Sequence, residues 1–254
     1  MLHQFSRNEL AIGKEGLALL QNKCVAVIGV GGVGSFAAET LARSGIGTII
    51  LVDKDTIDIT NVNRQIHALL STVGELKVEV MQKRIADINP DCQVITKHMF
   101  FLKDTKDEFF DDVPKIDFII DAADVVFGKE IIIEECLKRN IPFISSMAMA
   151  NKMDPTQLEI TDLSKTTYDP IAKVIRYNLR KRKVYGKIPV VFSKETPIVP
   201  RADVNEVVGK ADSPIRKVQM PPSSNAMVPT VAGILCASFV INTLLADVDI
   251  QRKK

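Results

Sequence analysis

Val27-Ile28-Gly29-Val30-Gly31-Gly32-Val33-Gly34, followed at a distance by Asp53, is the stretch from which the fold of this chain is read. Upstream, Cys24 to Ile28 is an unbroken apolar run ending at glycine, the pattern of a parallel strand buried on both faces. Downstream, Ser35 to Ser44 is rich in Ala, Glu, Leu and Arg and is closed by Gly45, which reads as a helix. Thr48-Ile49-Ile50-Leu51-Val52-Asp53 is a second strand ending in an acid. The glycines satisfy G-x-G-x-x-G between strand and helix, where they allow a tight turn, close approach of phosphate to backbone, and tight helix–strand packing. The helix N-terminus offers amide groups and a partial positive charge to an anion. Asp53 follows Gly34 by 19 residues, where a carboxylate can accept hydrogen bonds from ribose hydroxyls. A glycine-rich turn without a ligand is the bland alternative. Strand, loop, helix and acid in one register favour a nucleotide, and the loop alone suits NAD, FAD or ATP alike.

The alternation continues outward. A helix is expected over residues 74–89, strands at Val94–Thr96, Phe118–Asp121 and Phe143–Ser146, and a helix from Lys129 to Arg139. Beyond about residue 151 the pattern loosens. Leu158–Leu163 alternates like an exposed strand, Asp169–Lys183 reads as a basic helix, and Pro189–Ser193 as a short strand. Residues 194–224 read as an irregular, Pro- and Ser-rich loop, partly disordered. The expected fold is α/β: a Rossmann-like, doubly wound, mainly parallel sheet continued by antiparallel strands, with helices on both faces. We expect one domain over 1–254, with a nucleotide-binding half (1–150) and a substrate-facing half (151–254) ending in an apolar helix.

Composition sets bounds. With 46% apolar and 25% charged residues and a net charge of +2, the chain is ordinary for a globular protein with a sizeable core. The four cysteines, Cys24, Cys92, Cys136 and Cys236, never form a C-x-x-C pair, which argues against paired-cysteine zinc and for reduced, cytoplasmic thiols. The N-terminal residues Met1 to Arg7 contain no apolar core segment, so no secretory signal is expected. Residues 226–246 carry no charge and approach the length of a bilayer span, but scattered Pro, Thr, Ser, Asn and Gly favour a buried helix. No integral span is expected, and peripheral membrane association through this segment stays open. His67 and His98 have no partner at metal-ligand spacing and read as ordinary.

The segment after Asp53 discriminates among nucleotides. Asn61-Val62-Asn63-Arg64-Gln65, then Lys77, then Asp121 closing a later strand, together with Gly29, Gly31 and Gly34, resemble the adenylating family that includes the ubiquitin-activating enzymes and bacterial sulfur-carrier activators. The resemblance implies ATP and Mg²⁺. A carboxylate attacks the α-phosphorus and pyrophosphate leaves, so cations must neutralise phosphate oxygens. It assigns Arg64 and Lys77 to that clamp and gives Asn61, Asn63 and Gln65, with Gly32 in the loop, to nucleotide binding. Asp121 becomes the magnesium ligand. Arg7 matches an N-terminal arginine that reaches into a partner subunit's site, which implies a homodimer.

Further stretches, Ile66-His67-Ala68-Leu69, Met153-Asp154-Pro155-Thr156-Gln157 and Thr161–Thr166, are similar to the branch of this family that dehydrates threonylcarbamoyladenosine beside the tRNA anticodon. That branch activates the side-chain carboxylate and closes it onto the substrate's own carbamoyl nitrogen, so no enzyme thiol is needed. The absence of cysteine between Cys136 and Cys236 agrees with this, and Cys236 reads as packing. A tRNA substrate implies a basic surface. Lys173, Arg176, Arg180, Lys181, Arg182 and Lys183 supply one, with Tyr177 and Tyr185 interleaved for stacking on unpaired bases. A solvated helix face is the alternative. Ala148 and Ala150 stand where the family tends to have glycine. Rival readings are adenylation of a sulfur-carrier protein, with a sulfur-transfer partner, a nicotinamide-dependent oxidoreductase, and a non-catalytic nucleotide-gated tRNA binder.

Overall fold

The structure is a computed structural model and describes residues 2–201, 203–204 and 221–251. A single sheet organises them in the order β3-β2-β1-β4-β5-β7-β6. Its strands are β1 (Cys24–Ile28), β2 (Thr48–Val52), β3 (Gln93–Lys97), β4 (Phe118–Asp121), β5 (Phe143–Ser146), β6 (Leu158–Asp162) and β7 (Pro189–Ser193). All neighbours are parallel except β6 and β7, so β6 alone runs against the rest. The central strands β1, β4 and β5 are buried along their whole length, as continuous apolar runs demand. β6 sits at the edge and is only half buried, which is why its sequence alternates.

The helices are α1 (Ser6–Gln21), α2 (Gly34–Arg43), α3 (Lys77–Ile88), α4 (Lys106–Asp111), α5 (Val126–Arg139), α6 (Pro170–Lys181) and α7 (Val228–Leu244). One core cluster joins α2, α3 and α7 to one face of the sheet. The other joins α5 and α6 to the opposite face. Expected boundaries shift by small amounts. α3 begins at Lys77 because Gly74 to Leu76 form a turn in which Gly74 N donates to Ile57 O and Thr56 bridges Leu76. α5 begins three residues before Lys129, and α4 lies in a stretch for which no element was expected. α1 is broken at Gly13, whose φ of +70° is non-helical. Of the irregular loop expected over 194–224, residues 202 and 205–220 lie outside the described residues.

α7 explains the uncharged segment. Val228, Ala232, Cys236 and Val240 recur every four residues, and with Pro229, Gly233 and Ala237 they form a buried stripe of mostly small side chains. Small side chains let the axis come close to α2. No helix among the described residues is long and apolar enough to cross a membrane.

The α2–α7 contact makes a prediction in which two effects oppose each other. In an isolated helix Gly233→Ala stabilises by about 1 kcal/mol. Here the added methyl would lie 2.3 Å from Val33 O and 3.0 Å from Ala37 N, both backbone atoms. Overpacking costs roughly 1–3 kcal/mol, and a clash with backbone belongs at the upper end, about 2–3 kcal/mol, so a net loss of about 1–2 kcal/mol is expected in urea unfolding. A gain in stability would show that the two helices part easily.

Candidate active site

Strand order reverses between β1 and β4, the switch point at whose carboxyl ends open α/β sheets place their ligand crevice. Ile28 is the last residue of β1, in register with Val52 on one side and Asp121 on the other. The loop from Gly29 to Val33 crosses this crevice. Gly29 has φ +92°, and a Cβ there would fall 2.6 Å from Ala122 O, so both its conformation and its contact require glycine. Gly34 is required by contact alone, since a Cβ would fall 1.7 Å from Gly29 O. Gly31 differs. A Cβ there would meet nothing nearer than Gln65 Nε2 at 3.9 Å, so protein packing does not demand glycine and the space before it is open to a ligand. The start of α2 carries no side-chain cap.

Asp53 is held more firmly than its sequence position reveals. Oδ2 accepts from Val30 N at 2.7 Å and Oδ1 from Asp55 N at 2.9 Å, so the acid expected to face ribose also pins the glycine loop. Lys77 is 8% exposed at its side chain, with Nζ 3.0 Å from Asp55 and 3.8 Å from Asp53. Asp55, assigned no role from sequence, is thus the resting partner of Lys77.

The Asn61–Gln65 segment lies across the glycine loop. A Cβ on Gly32 would come within 3.5 Å of Arg64 Cγ, which places the arginine over the loop. Arg64 donates through Nη1 to Thr60 O at 2.7 Å and Asn63 Oδ1 at 2.9 Å, and burial lowers its pKa from arginine's ordinary value. Asn63 Nδ2 reaches Ser224 O at 3.0 Å, tying the segment to the chain that leads into α7. Asn61 has a different occupation: its Oδ1 accepts from Asp58 N at 3.1 Å and caps the local turn. Gln65 is buried, and its Oε1 has no hydrogen-bond partner among the described residues, an orphaned acceptor beside Gly31.

Asp121 is fully buried beneath this assembly. Lys129 Nζ lies 3.2 Å from both of its oxygens, Ser145 donates to Oδ2, and Ala123 N donates to Oδ1 at 3.1 Å. Those donors occupy the carboxylate, so Asp121 does not fit a magnesium ligand in this geometry. Its charge instead fixes the turn from Ala122 onward, which packs on Gly29. Three residues on, Asp124 is an exposed carboxylate in the same turn, and the sequence reading gave it no site role. Position within an irregular turn, which no periodicity reports, separates the two acids.

Arg7 is exposed and remote from this group. Its neighbour Asn8 bonds to Arg43 O, and Phe5 packs beside Gly45, both at the opposite end of the sheet. The basic helix is also separate, and two of its six cations are committed to structure. Arg176 donates to Leu163 O at 3.2 Å, Thr166 O at 3.1 Å and the Thr166 hydroxyl, while Arg182 pairs with Glu130 at 2.8 Å and Glu134 at 3.1 Å. Lys173, Arg180, Lys181 and Lys183 are exposed, as are Tyr177 and Tyr185. Burial raises the thiol pKa of Cys24 and Cys236 to about 12 and of Cys92 to about 11, so none of the three is poised as a thiolate near neutral pH. Cavities of about 510 and 340 Å³ open near Asn140–Pro142, at the amino ends of β4 and β5, and hold none of the motif residues.

The ThiF family pattern matches residues 5–252. The tRNA threonylcarbamoyladenosine dehydratase of Bacillus subtilis (strain 168) is 60% identical over 254 residues, covering 100% of this chain and 99% of that protein. The Escherichia coli tRNA N6-threonylcarbamoyladenosine dehydratase in complex with ATP superposes with a TM-score of 0.85 at 34% identity, covering 96% of this chain and 94% of that one. Its AMP complex superposes with a TM-score of 0.84, also at 34% identity, covering 96% and 95%.

One residue beside the site governs a pH response. His67 is 2% exposed, neither ring nitrogen has a hydrogen-bond partner among the described residues, and burial, with Lys77 and Arg84 nearby, lowers its pKa from 6.5 to about 4. The folded state therefore favours neutral imidazole. Its contribution is complete above about pH 6.5 and is lost as pH falls toward 4, amounting to about 2–3 kcal/mol. Urea unfolding at pH 7 and pH 4.5 should show this loss in the native chain and a flatter response in His67→Phe. Equal pH slopes in the two proteins would remove His67 from the account.

Proposed function

The chain belongs to the ThiF family, and we infer on that footing that it is an ATP-dependent adenylating enzyme that dehydrates threonylcarbamoyladenosine in tRNA. The observation that carries the reading is the placement of Arg64 and Gln65 across the glycine loop, opposite the open space before Gly31. An ATP triphosphate laid on that loop meets the α2 N-terminus from below and Arg64 from above, with Lys77 within the same acid-lined group. The substrate carboxylate attacks the α-phosphorus, pyrophosphate departs, and an acyl adenylate forms. The carbamoyl nitrogen then attacks the activated carbonyl, expelling AMP and closing the ring. Net loss of water is thereby driven by ATP cleavage. Proximity supplies the second step, since nucleophile and electrophile belong to one molecule. An oxidoreductase reading finds no support, because it leaves the Arg64 segment without a purpose.

Magnesium, on this reading, would supply positive charge to offset the negative charge of the departing pyrophosphate. Asp124 is the residue that would hold it: its side chain is exposed in the turn against Gly29, whereas Asp121 is buried under Lys129 and Ser145. We place the domain division as one adenylating unit, with residues 1–150 gripping nucleotide and 151–254 facing tRNA. Lys173, Arg180, Lys181 and Lys183 contact phosphates and Tyr177 and Tyr185 offer stacking surfaces. Arg176 ties α6 to the 163–166 turn and Arg182 ties its end to α5. Free cysteines and a tRNA substrate fit a cytoplasmic place.

Purified protein given ATP and threonylcarbamoyladenosine-bearing tRNA should release AMP and yield the dehydrated nucleoside by mass spectrometry. Arg64→Ala and Lys77→Ala should each lower kcat/KM by about a hundredfold or more; Arg64→Ala should keep an unfolding midpoint near the native value, while Lys77→Ala, which unpairs Asp53 and Asp55, should also lower it. Failure of the native chain to form AMP and the dehydrated nucleoside would end the proposal.

Arg7 is too far from its own crevice to act there, so we propose that it completes the site of a second copy in a homodimer. Arg7→Ala and Arg64→Ala should each be nearly inactive alone. Mixed and allowed to exchange subunits, they should recover about a quarter of native activity, since half the dimers are mixed and each has one intact site. No recovery, with exchange confirmed, would place Arg7 outside catalysis.

A further inference from the structure

Tyr168 ends the loop that leads into α6. It is 72% exposed, and its φ is +54°, in the left-handed region that a bulky side chain seldom adopts. Its neighbours are fixed on both sides. Thr166 accepts from Arg176 through its carbonyl and its hydroxyl oxygen. Asp169 caps α6 through Ala172 N at 2.9 Å and accepts from Ala148 N at 3.0 Å with its other oxygen. Asn or Gly would hold this turn with less strain, and a ring so exposed returns little packing to the fold. The choice of tyrosine therefore points outward, to a ligand.

The Asp169–Ala148 bond says where that ligand lies. Ala148 belongs to the loop that leaves β5, in the same layer of strand ends as the nucleotide crevice. Tyr177, by contrast, stands roughly 10 Å further along α6 by the rise of the helix. Lys173 is exposed on the first turns of α6, close enough in sequence to meet a phosphate flanking whatever the ring covers. We propose that Tyr168 stacks on the unpaired base next to the modified adenosine, positioning that nucleotide at the crevice. The proposal rests on the tRNA reading above and deepens it. Every base has a π-face, so such contact gives reach without sequence readout.

The test uses the full chain and a stem-loop RNA bearing threonylcarbamoyladenosine. Tyr168→Asn keeps a residue at ease with positive φ and removes the ring. It should raise KM for the RNA roughly tenfold, leave kcat and the KM for ATP near native, and not lower the unfolding midpoint. Tyr168→Phe and Tyr168→Trp should keep the native KM. An abasic nucleotide beside the modified adenosine should raise KM in the native chain and add nothing further in Tyr168→Asn. An unchanged KM in Tyr168→Asn, or an equal loss in Tyr168→Phe, overturns the stacking role while the native chain stays active. A native chain that leaves the RNA unaltered overturns the dehydratase reading and this proposal with it.

Discussion

Everything at the strand ends depends on one close approach of backbone to backbone. Gly34 opens α2 so near to the carbonyl of Gly29 that no side chain fits between them, and Gly29 in turn lies against Ala122. This stack of three segments brings the first turn of α2, the end of β1 and the turn after β4 into one layer. Asp53 then has a fixed amide, Val30 N, to hold, and Arg64 has a flat surface of glycine to lie across. Were a methyl forced in at Gly29 or Gly34, the start of α2 and the end of β1 would have to part. The site is therefore a property of backbone spacing first and of side-chain chemistry second.

The remaining charges are arranged around that layer by pairing. Asp121 and Lys129 neutralise one another in the interior, a geometry that is expensive to break from one side because the survivor is left as an unpaired buried ion. Their effect is structural: they fasten the turn on which Gly29 rests. Lys152 is a comparable case in the second half of the chain. It is buried, with its ammonium on the carbonyls of Ser193 and Glu195, and burial lowers its pKa. It secures the exit of β7 beside the loop that Asp169 fastens to α6.

Most of the sheet was legible in the sequence because its strands are buried on both faces and announce themselves as apolar runs. The first β–α–β unit, β4, β5, β7 and the basic helix appear at or within a few residues of their expected places. What escaped notice has physical reasons. α4 is only six residues long, too short for a helical period to repeat twice. Whether a basic residue faces solvent or a neighbour is also hidden, and so Arg176 and Arg182 read like Lys173 although they brace the fold. The same limit applies to the two acids after β4, where burial rather than identity separates Asp121 from Asp124. Motif spacing names the candidate residues, but it does not report which of them are engaged by other residues.

That last distinction has a consequence for Lys77. Its ammonium rests between Asp55 and Asp53, so it does not stand as a bare attractor for any passing anion. A ligand must outcompete a carboxylate already in contact, which weak or singly charged anions do poorly and a polyphosphate does well. On the nucleotide-binding reading proposed above, the arrangement would act as a threshold, set by the charge a ligand must bring to displace Asp55.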